Sequence, residues 1–220
     1  SPLDQHTQIY REALNTMEAE TGAIISEIER QLINGLPLNE QDKALAEGLA
    51  ELSAARLINC LRNLSKDYLF ARTDRSVVDS AFDQIGSLTN ISQGVAGIAG
   101  ELDRMGEIRG DVATAQQHLA EGRYWIAWEQ CQVLLSDQDL GAFAHEQLLL
   151  LTERCKAEMY EPLLQEALQL MDGGRFISAR QALQALLTVF PDKTAVSEAL
   201  DACAPYVPEQ LAAWQGPHRR

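Results

Sequence analysis

The sequence is poor in the residues and motifs that many enzymes depend on. Its 220 residues include only four histidines and four cysteines, and aromatic residues make up 6%. The histidines are isolated, and the chain has no His-Glu-x-x-His, no Gly-x-Ser-x-Gly and no phosphate-binding glycine loop. No Cys-x-x-Cys pair occurs, so neither a zinc knuckle nor a redox motif is supported. We therefore predict no catalytic residue, no metal site and no cofactor.

Positive charge is also scarce. Lys and Arg number 18 against 32 Asp and Glu, which gives a formal net charge of −14 and a pI near 4.6. Such a chain lacks the clustered cations that displace counterions from phosphate, so nucleic acid is excluded as a partner. The longest notable apolar run, from Leu148 to Leu151, is far shorter than the roughly 18 to 20 residues that span a bilayer. We expect no membrane insertion of this stretch.

The cysteines and the chain ends bear on location. Buried free thiols are the simplest interpretation of cysteines so far apart, and they favour a reducing compartment. The chain, however, begins Ser1-Pro2-Leu3 without a methionine and ends in Gly216-Pro217-His218-Arg219-Arg220. We expect a fragment of a larger bacterial protein, and we favour an extracytoplasmic location over a cytoplasmic one.

Apolar residues at helical spacing are what the sequence does contain, and they predict an all-α fold. Tyr10, Leu14, Met17, Ile24 and Ile28 form a narrow seam on a helix from Gln5 to about Asn34. A second helix is predicted from about Glu40 to Ala71, with Asn39 as its cap. After a break at Arg72-Thr73-Asp74, helical spacing resumes from Val77 to Ile85.

The stretch from Gly86 to Gly110 holds six of the fourteen glycines, yet its apolar residues also recur at steps of three and four. We predict a helix here. Each interior glycine costs about 1 kcal/mol relative to alanine. We expect Gly94, Gly97 and Gly100 to allow a neighbouring helix to approach closely.

Residues 5–108 are thus predicted to form an antiparallel helical bundle. The run AARLINCLRNLSKDYLFARTDRSVVDSAFDQIGSL, residues 54–88, resembles the helical sensor domains of bacterial chemoreceptors and histidine kinases. Arg62 and Lys66 lie four apart within it, which makes them a candidate anion-binding pair. Pairing of the basic residues in this run with the excess carboxylates is the alternative.

Residues 111–204 contain two similar hairpins. In the second, residues 163–191, one helix stops at Gly173-Gly174, another follows, and Pro191 ends it. In the first, Gly122, Tyr124 and Ala127 match residues that each lie 52 positions further on. Asp111 is expected to cap the first hairpin, Pro162 to begin the helix after an intervening one at 142–160, and 195–203 to form a short capping helix.

These hairpins resemble the tetratricopeptide repeat. That family has a small residue midway along its first helix, here Ala115 and Ala167, and an alanine where the two helices touch, here Ala127 and Ala179. The 52-residue spacing departs from the family's 34, and its usual first-helix Trp and Leu positions are not kept. The resemblance implies a helical scaffold and names no ligand.

The predicted architecture is therefore a long-helix antiparallel bundle followed by tetratricopeptide-like hairpins, with residues 205–220 as a linker or tail.

The leading functional hypothesis is a non-catalytic interaction module that binds a protein or peptide near Trp125, Trp128, Arg175 and Arg180. Packing of the two tryptophans into the core is the alternative interpretation of those residues. An extracytoplasmic sensor that binds a small anion is a second hypothesis. An accessory region of a secreted carbohydrate-active enzyme is a third, from a resemblance of residues 206–218 to linkers that enter polysaccharide-deacetylase-like domains. The sequence does not predict an oligomeric state.

Overall fold

The computed structural model describes the backbone of residues 1–215 and the side chains of residues 1–49 and 54–213. Across this part of the chain the fold is all-α, as predicted, with 83% helix and no strand. The described helices, in chain order, are α1 (Pro2–Ile33), α2 (Glu40–Leu69), α3 (Arg75–Ile85), α4 (Thr89–Ser92), α5 (Ile98–Ala120), α6 (Tyr124–Leu135), α7 (Ala142–Asp172), α8 (Phe176–Val189), α9 (Thr194–Cys203) and α10 (Val207–Gln215), with a short 3-10 turn at Ala204–Tyr206.

The helices group into two compact units. The first comprises Ser1–Gln117 with Gln130–Leu149, and the second comprises His118–Glu129 with the chain from Leu150 onward. Helix α5 runs without a break through residues 108–111, so the prediction that Asp111 caps a new helix is wrong. The apolar spacing continues on both sides of Asp111, and an acidic side chain on the exposed face of a helix does not end it.

Helix α2 is the element around which the first unit packs. Helices α1, α3 and α4 all contact it. Its start is the predicted one, because Oδ1 of Asn39 accepts a hydrogen bond from the Asp42 backbone N–H at 2.7 Å. The largest fully buried apolar side chains of this unit are Ile25, Ile28, Leu32, Leu57, Leu61, Leu69, Ile85, Ile91, Ile98, Leu102, Met105 and Leu148.

Only the C-terminal part of α1 contributes to this core. Tyr10, Leu14 and Met17 are 65%, 40% and 62% exposed, so most of the predicted seam is not buried. All of the first twenty residues are exposed, and the buried positions of α1 begin at Ile25. Apolar spacing identifies one side of a helix, but it does not show how much of that side another element covers.

The predicted continuous helix between Gly86 and Gly110 is also wrong. The short α4 ends at Ser92, and the chain turns at Gly97, whose φ of +84° is accessible to glycine at low cost. Burial nevertheless follows the predicted pattern, since Ile91 before the break, Val95 within it and Ile98 after it are all buried. The close approach expected of three glycines is confirmed at Gly94, where a Cβ would overlap the side chain of Ile58. It is wrong at Gly97 and Gly100, where a Cβ would meet no described atom within 4 Å.

Helix α7 is one continuous helix of 31 residues, with Pro162 in its interior. The expectation that Pro162 begins a new helix is therefore wrong. An interior proline loses one hydrogen bond and disfavours a helix by about 3 kcal/mol. Met159 and Leu163 are buried on either side of it, and burial of such side chains stabilises the helix by about 1.5–3 kcal/mol each.

In the second unit, α9 and α10 pack against α8. Ala179, Cys203 and Val207 form a buried cluster with Leu170, Met171, Phe176, Ile177 and Leu211 around it. Residues 207–215, expected to be linker, are thus helix α10, and its Leu211 belongs to the core. Residues 216–220 lie outside the described part of the chain. The sequence signal for α10 was short, with Pro205 just before the helix and Pro208 in its first turn, which favours a linker interpretation.

Candidate functional site

The two hairpin turns have the same local geometry, 52 residues apart. Gly122 has a φ of +77° and Gly174 a φ of +74°. In the first turn the Arg123 N–H donates to the His118 carbonyl at 2.8 Å, and in the second the Arg175 N–H donates to the Leu170 carbonyl at the same distance. The glycines supply the left-handed conformation that ends one helix, and these hydrogen bonds satisfy its last carbonyls.

The small residues of the repeated pattern are buried in both copies. Ala127 and Ala179, on the second helix of each hairpin, are 1% and 0% exposed. Ala115 and Ala167, on the first helices, are buried to the same degree. The chain therefore contains packed helix pairs compatible with a helical-repeat fold.

The predicted tryptophans lie at the start of α6. Trp125 and Trp128 are both half-buried, so they are neither core residues nor fully exposed. Ile126, between them in sequence, is 45% exposed. The first turn of α6 therefore keeps part of its apolar surface accessible.

The predicted arginines lie at the start of α8. Arg175 is exposed and lines a cleft of about 370 Å³ with Glu166, Gln169 and Leu170. Arg180 is half-buried, and its Nε is buried without a hydrogen-bond partner among the described residues. Within the same part of the chain, no hydrogen bond, ion pair or ring contact joins these arginines to Trp125 or Trp128. The structure thus gives two patches on the second unit rather than four residues in mutual contact.

The candidate anion pair on α2 is only partly available. Arg62 lies 3.7 Å from a carboxylate oxygen of Glu146, and its guanidinium lies 5.1 Å from the ring centroid of Phe143. Lys66 is half-buried and forms no ion pair with a described residue. Because Arg62 already has two partners, the two side chains do not form a free cationic site.

The other basic residues of residues 54–88 are paired with carboxylates. Arg56 Nε lies 2.9 Å from an oxygen of Glu29, and Arg75 Nε lies 2.9 Å from an oxygen of Asp79. The hydrogen bond to Asp79 raises the pKa of Arg75 above its ordinary value. The alternative that we gave for this run, internal pairing of its basic residues, agrees with these contacts.

The described cysteines do not belong to a disulfide or to a metal site. All four are buried, as predicted. Burial, with a smaller contribution from the charge of Glu29, raises the pKa of the Cys60 thiol to about 11, which makes it unreactive at neutral pH. Among the described residues, no group of three or more His, Cys, Asp or Glu side chains could hold a metal ion.

Sequence reasoning missed a second cleft on the second unit. It is lined by Lys156 and Tyr160 from α7 and by Phe190 and Lys193 from the connection between α8 and α9, and its volume is about 510 Å³. The sequence contains only a weak indication of this cleft. Lys156 and Tyr160 are four residues apart on one helix face, and Pro191 marks the end of the helix that brings Phe190 nearby.

No protein-family model, no curated protein and no solved structure matches the chain. No helix in the described part of the chain is both long enough and apolar enough to cross a membrane.

Proposed function

We propose that this chain is a non-catalytic helical interaction module whose hairpins are tetratricopeptide-like. In this proposal a partner protein or peptide binds the second unit near Trp125 and Trp128, with Arg175 and Arg180 contributing charge. The 52-residue repetition of turn geometry and of buried alanines supports the relation between the hairpins. The relation remains a proposal, because the spacing is longer than in a tandem array.

The observation that carries the binding proposal is the partial burial of both tryptophans. Trp125 and Trp128 are each covered only in part, so both residues could be covered further by a partner. Large aromatic side chains that become covered on binding dominate the energy of many interfaces. Arg180 adds a half-buried positive charge to a separate patch of the second unit, and its buried Nε has no described partner.

The test is a selection of random peptides displayed on phage against the whole chain. Affinities of the selected peptides are then measured for Trp125→Ala and Trp128→Ala. Each substitution is expected to weaken binding by more than about 1 kcal/mol, roughly fivefold, with little change in the melting temperature. Val133→Ala is the matched control, because Val133 is apolar, 70% exposed and on the same helix.

Two results would contradict the proposal. A lower melting temperature with unchanged peptide affinity would identify the tryptophans as structural, and recovery of no related peptides would argue against peptide binding by this surface. The sensor and the enzyme-accessory hypotheses stay predictions. No contact of Arg62 or of α10 favours either of them over the interaction module.

A further inference from the structure

The second cleft of the second unit is built on a pair of aromatic rings. Tyr160 on α7 and Phe190 at the end of α8 have ring centroids 5.0 Å apart and planes at 61°, which is an edge-to-face contact. Phe190 is 6% exposed, while Tyr160 is half-buried. The volume of about 510 Å³ lies within the usual range of small-molecule pockets.

Two of the four lysines in the sequence lie at this aromatic pair. Nζ of Lys156 is 5.7 Å from the ring centroid of Phe190, and Nζ of Lys193 is 4.7 Å from that of Tyr160. The rings attract the ammonium groups through their negative faces. Two flexible cations are thereby held at the edge of one cleft.

The ammonium groups keep their hydrogen-bonding capacity. Neither lysine forms an ion pair or a side-chain hydrogen bond with any residue that the structure describes. Each ammonium has three N–H donors, which prefer oxygen acceptors. An aromatic face offers no oxygen, so the contact with the ring does not satisfy these donors. A carboxylate, whose two oxygens are charged acceptors, forms stronger hydrogen bonds with such donors than water does.

The lining also limits which anions fit. Glu153, Glu161 and Asp192 line the same cleft as the two lysines, so three carboxylates accompany two ammonium groups. The chain as a whole carries a net charge of −14. These negative charges oppose every anion and oppose a polyanion most strongly, so the ligand that fits best carries a single carboxylate on an apolar body. Its charge would meet the two ammonium groups, and its apolar part would meet the rings.

We propose that this cleft binds a small monocarboxylate with an aromatic or apolar body. Its carboxylate accepts hydrogen bonds from Lys156 and Lys193, and its body packs against Tyr160 and Phe190. The inference does not depend on the peptide-binding proposal, because the two surfaces share no residue.

The test uses phenylacetate as the probe and phenylacetamide as its neutral counterpart of the same shape. Each is titrated into isotopically labelled wild-type protein, and backbone amide shifts are followed by NMR. Phenylacetate is expected to shift amides in residues 153–161 and 189–193 and to bind at least about tenfold more tightly than phenylacetamide. Because this comparison needs no substitution, folding defects do not affect it.

Lysine variants provide the second readout. Lys156→Gln and Lys193→Gln together should weaken phenylacetate binding at least about tenfold and leave phenylacetamide binding unchanged. Lys43→Gln is the matched control, because Lys43 lies in the first unit, 3.8 Å from a carboxylate oxygen of Glu40. Equal affinity for the acid and the amide, shifts scattered outside the two segments, or full affinity in the double variant would each overturn the proposal.

Discussion

Helix α7 receives its N-terminal cap from another helix, and this arrangement can be tested quantitatively. The first hydrogen bond of the helix runs from the His145 N–H to the carbonyl of Gly141, and glycine has no side chain that could act as a cap. Instead, Oε2 of Glu101 on α5 accepts the Phe143 N–H at 3.2 Å, and Oε1 accepts the Ala144 N–H at 2.9 Å. These are the second and third N–H groups of the helix, which a side-chain cap normally satisfies.

Glu101→Ala should therefore destabilise the protein by about 1–2 kcal/mol, the usual cost of losing an N-cap. For a chain of this size each kcal/mol corresponds to a fall in melting temperature of about 2–4 °C. Unfolding in urea, followed by circular dichroism, measures the change. Glu107→Ala is the control, because Glu107 is exposed and pairs only with Arg104 on its own helix, where such a pair contributes about 0.5 kcal/mol or less.

A second substitution tests whether Glu101 acts through this contact. A Cβ added at Gly141 would overlap the carboxylate of Glu101, so Gly141→Ala should push the cap away and destabilise the wild type. In the Glu101→Ala background that space is free. Gly141→Ala should then stabilise the protein by about 0.4–1 kcal/mol, because alanine lowers the conformational entropy of the unfolded chain. The two changes should thus be coupled by about 1 kcal/mol or more. Additive effects would refute this account of how α7 begins.

Two further predictions follow from single positions. Gly94→Ala should destabilise the protein by about 1–3 kcal/mol, because the added Cβ overlaps Ile58. Gly100→Ala should stabilise it by about 0.5 kcal/mol, because no described atom lies near the added Cβ. If Gly94→Ala had the higher melting temperature of the two variants, this account of the packing would be contradicted. The stability that the neutral Cys60 thiol contributes should be full below pH 9.0, its ordinary pKa, and should be lost as the pH rises toward about 11. Unfolding free energies of wild type and Cys60→Ala across this range should therefore converge, and parallel curves would show that the thiol titrates normally.

Local sequence signals predicted the two hairpin turns and the start of α2 well. Gly122 and Gly174 are the residues that best allow a positive φ, and Asn39 carries an acceptor at the right distance from its own helix. Each of these features depends on a few neighbouring residues. The breaks and the uninterrupted helices were predicted less well, because the residues around Pro162 and Gly97 do not by themselves show whether a helix continues there.

The sites were harder to predict than the fold. The tryptophans at 125 and 128 are conspicuous in the sequence, yet whether they face a core or solvent depends on covering elements that the sequence does not specify. The Lys156 and Lys193 cleft joins residues more than thirty positions apart. Its formation depends on the end of α8 lying beside the middle of α7, and no local pattern contains that information.

Helix α1 is geometrically continuous, but its first twenty residues and its last third should differ in local stability. Its last third includes the buried Ile25, Ile28 and Leu32, so amide exchange there requires an opening of the core. Its first twenty residues have no buried side chain, and a helix of that length without tertiary contacts is only marginally stable in water. Protection against exchange should therefore rise steeply along a single helix, and the step should lie near Thr21, where burial begins.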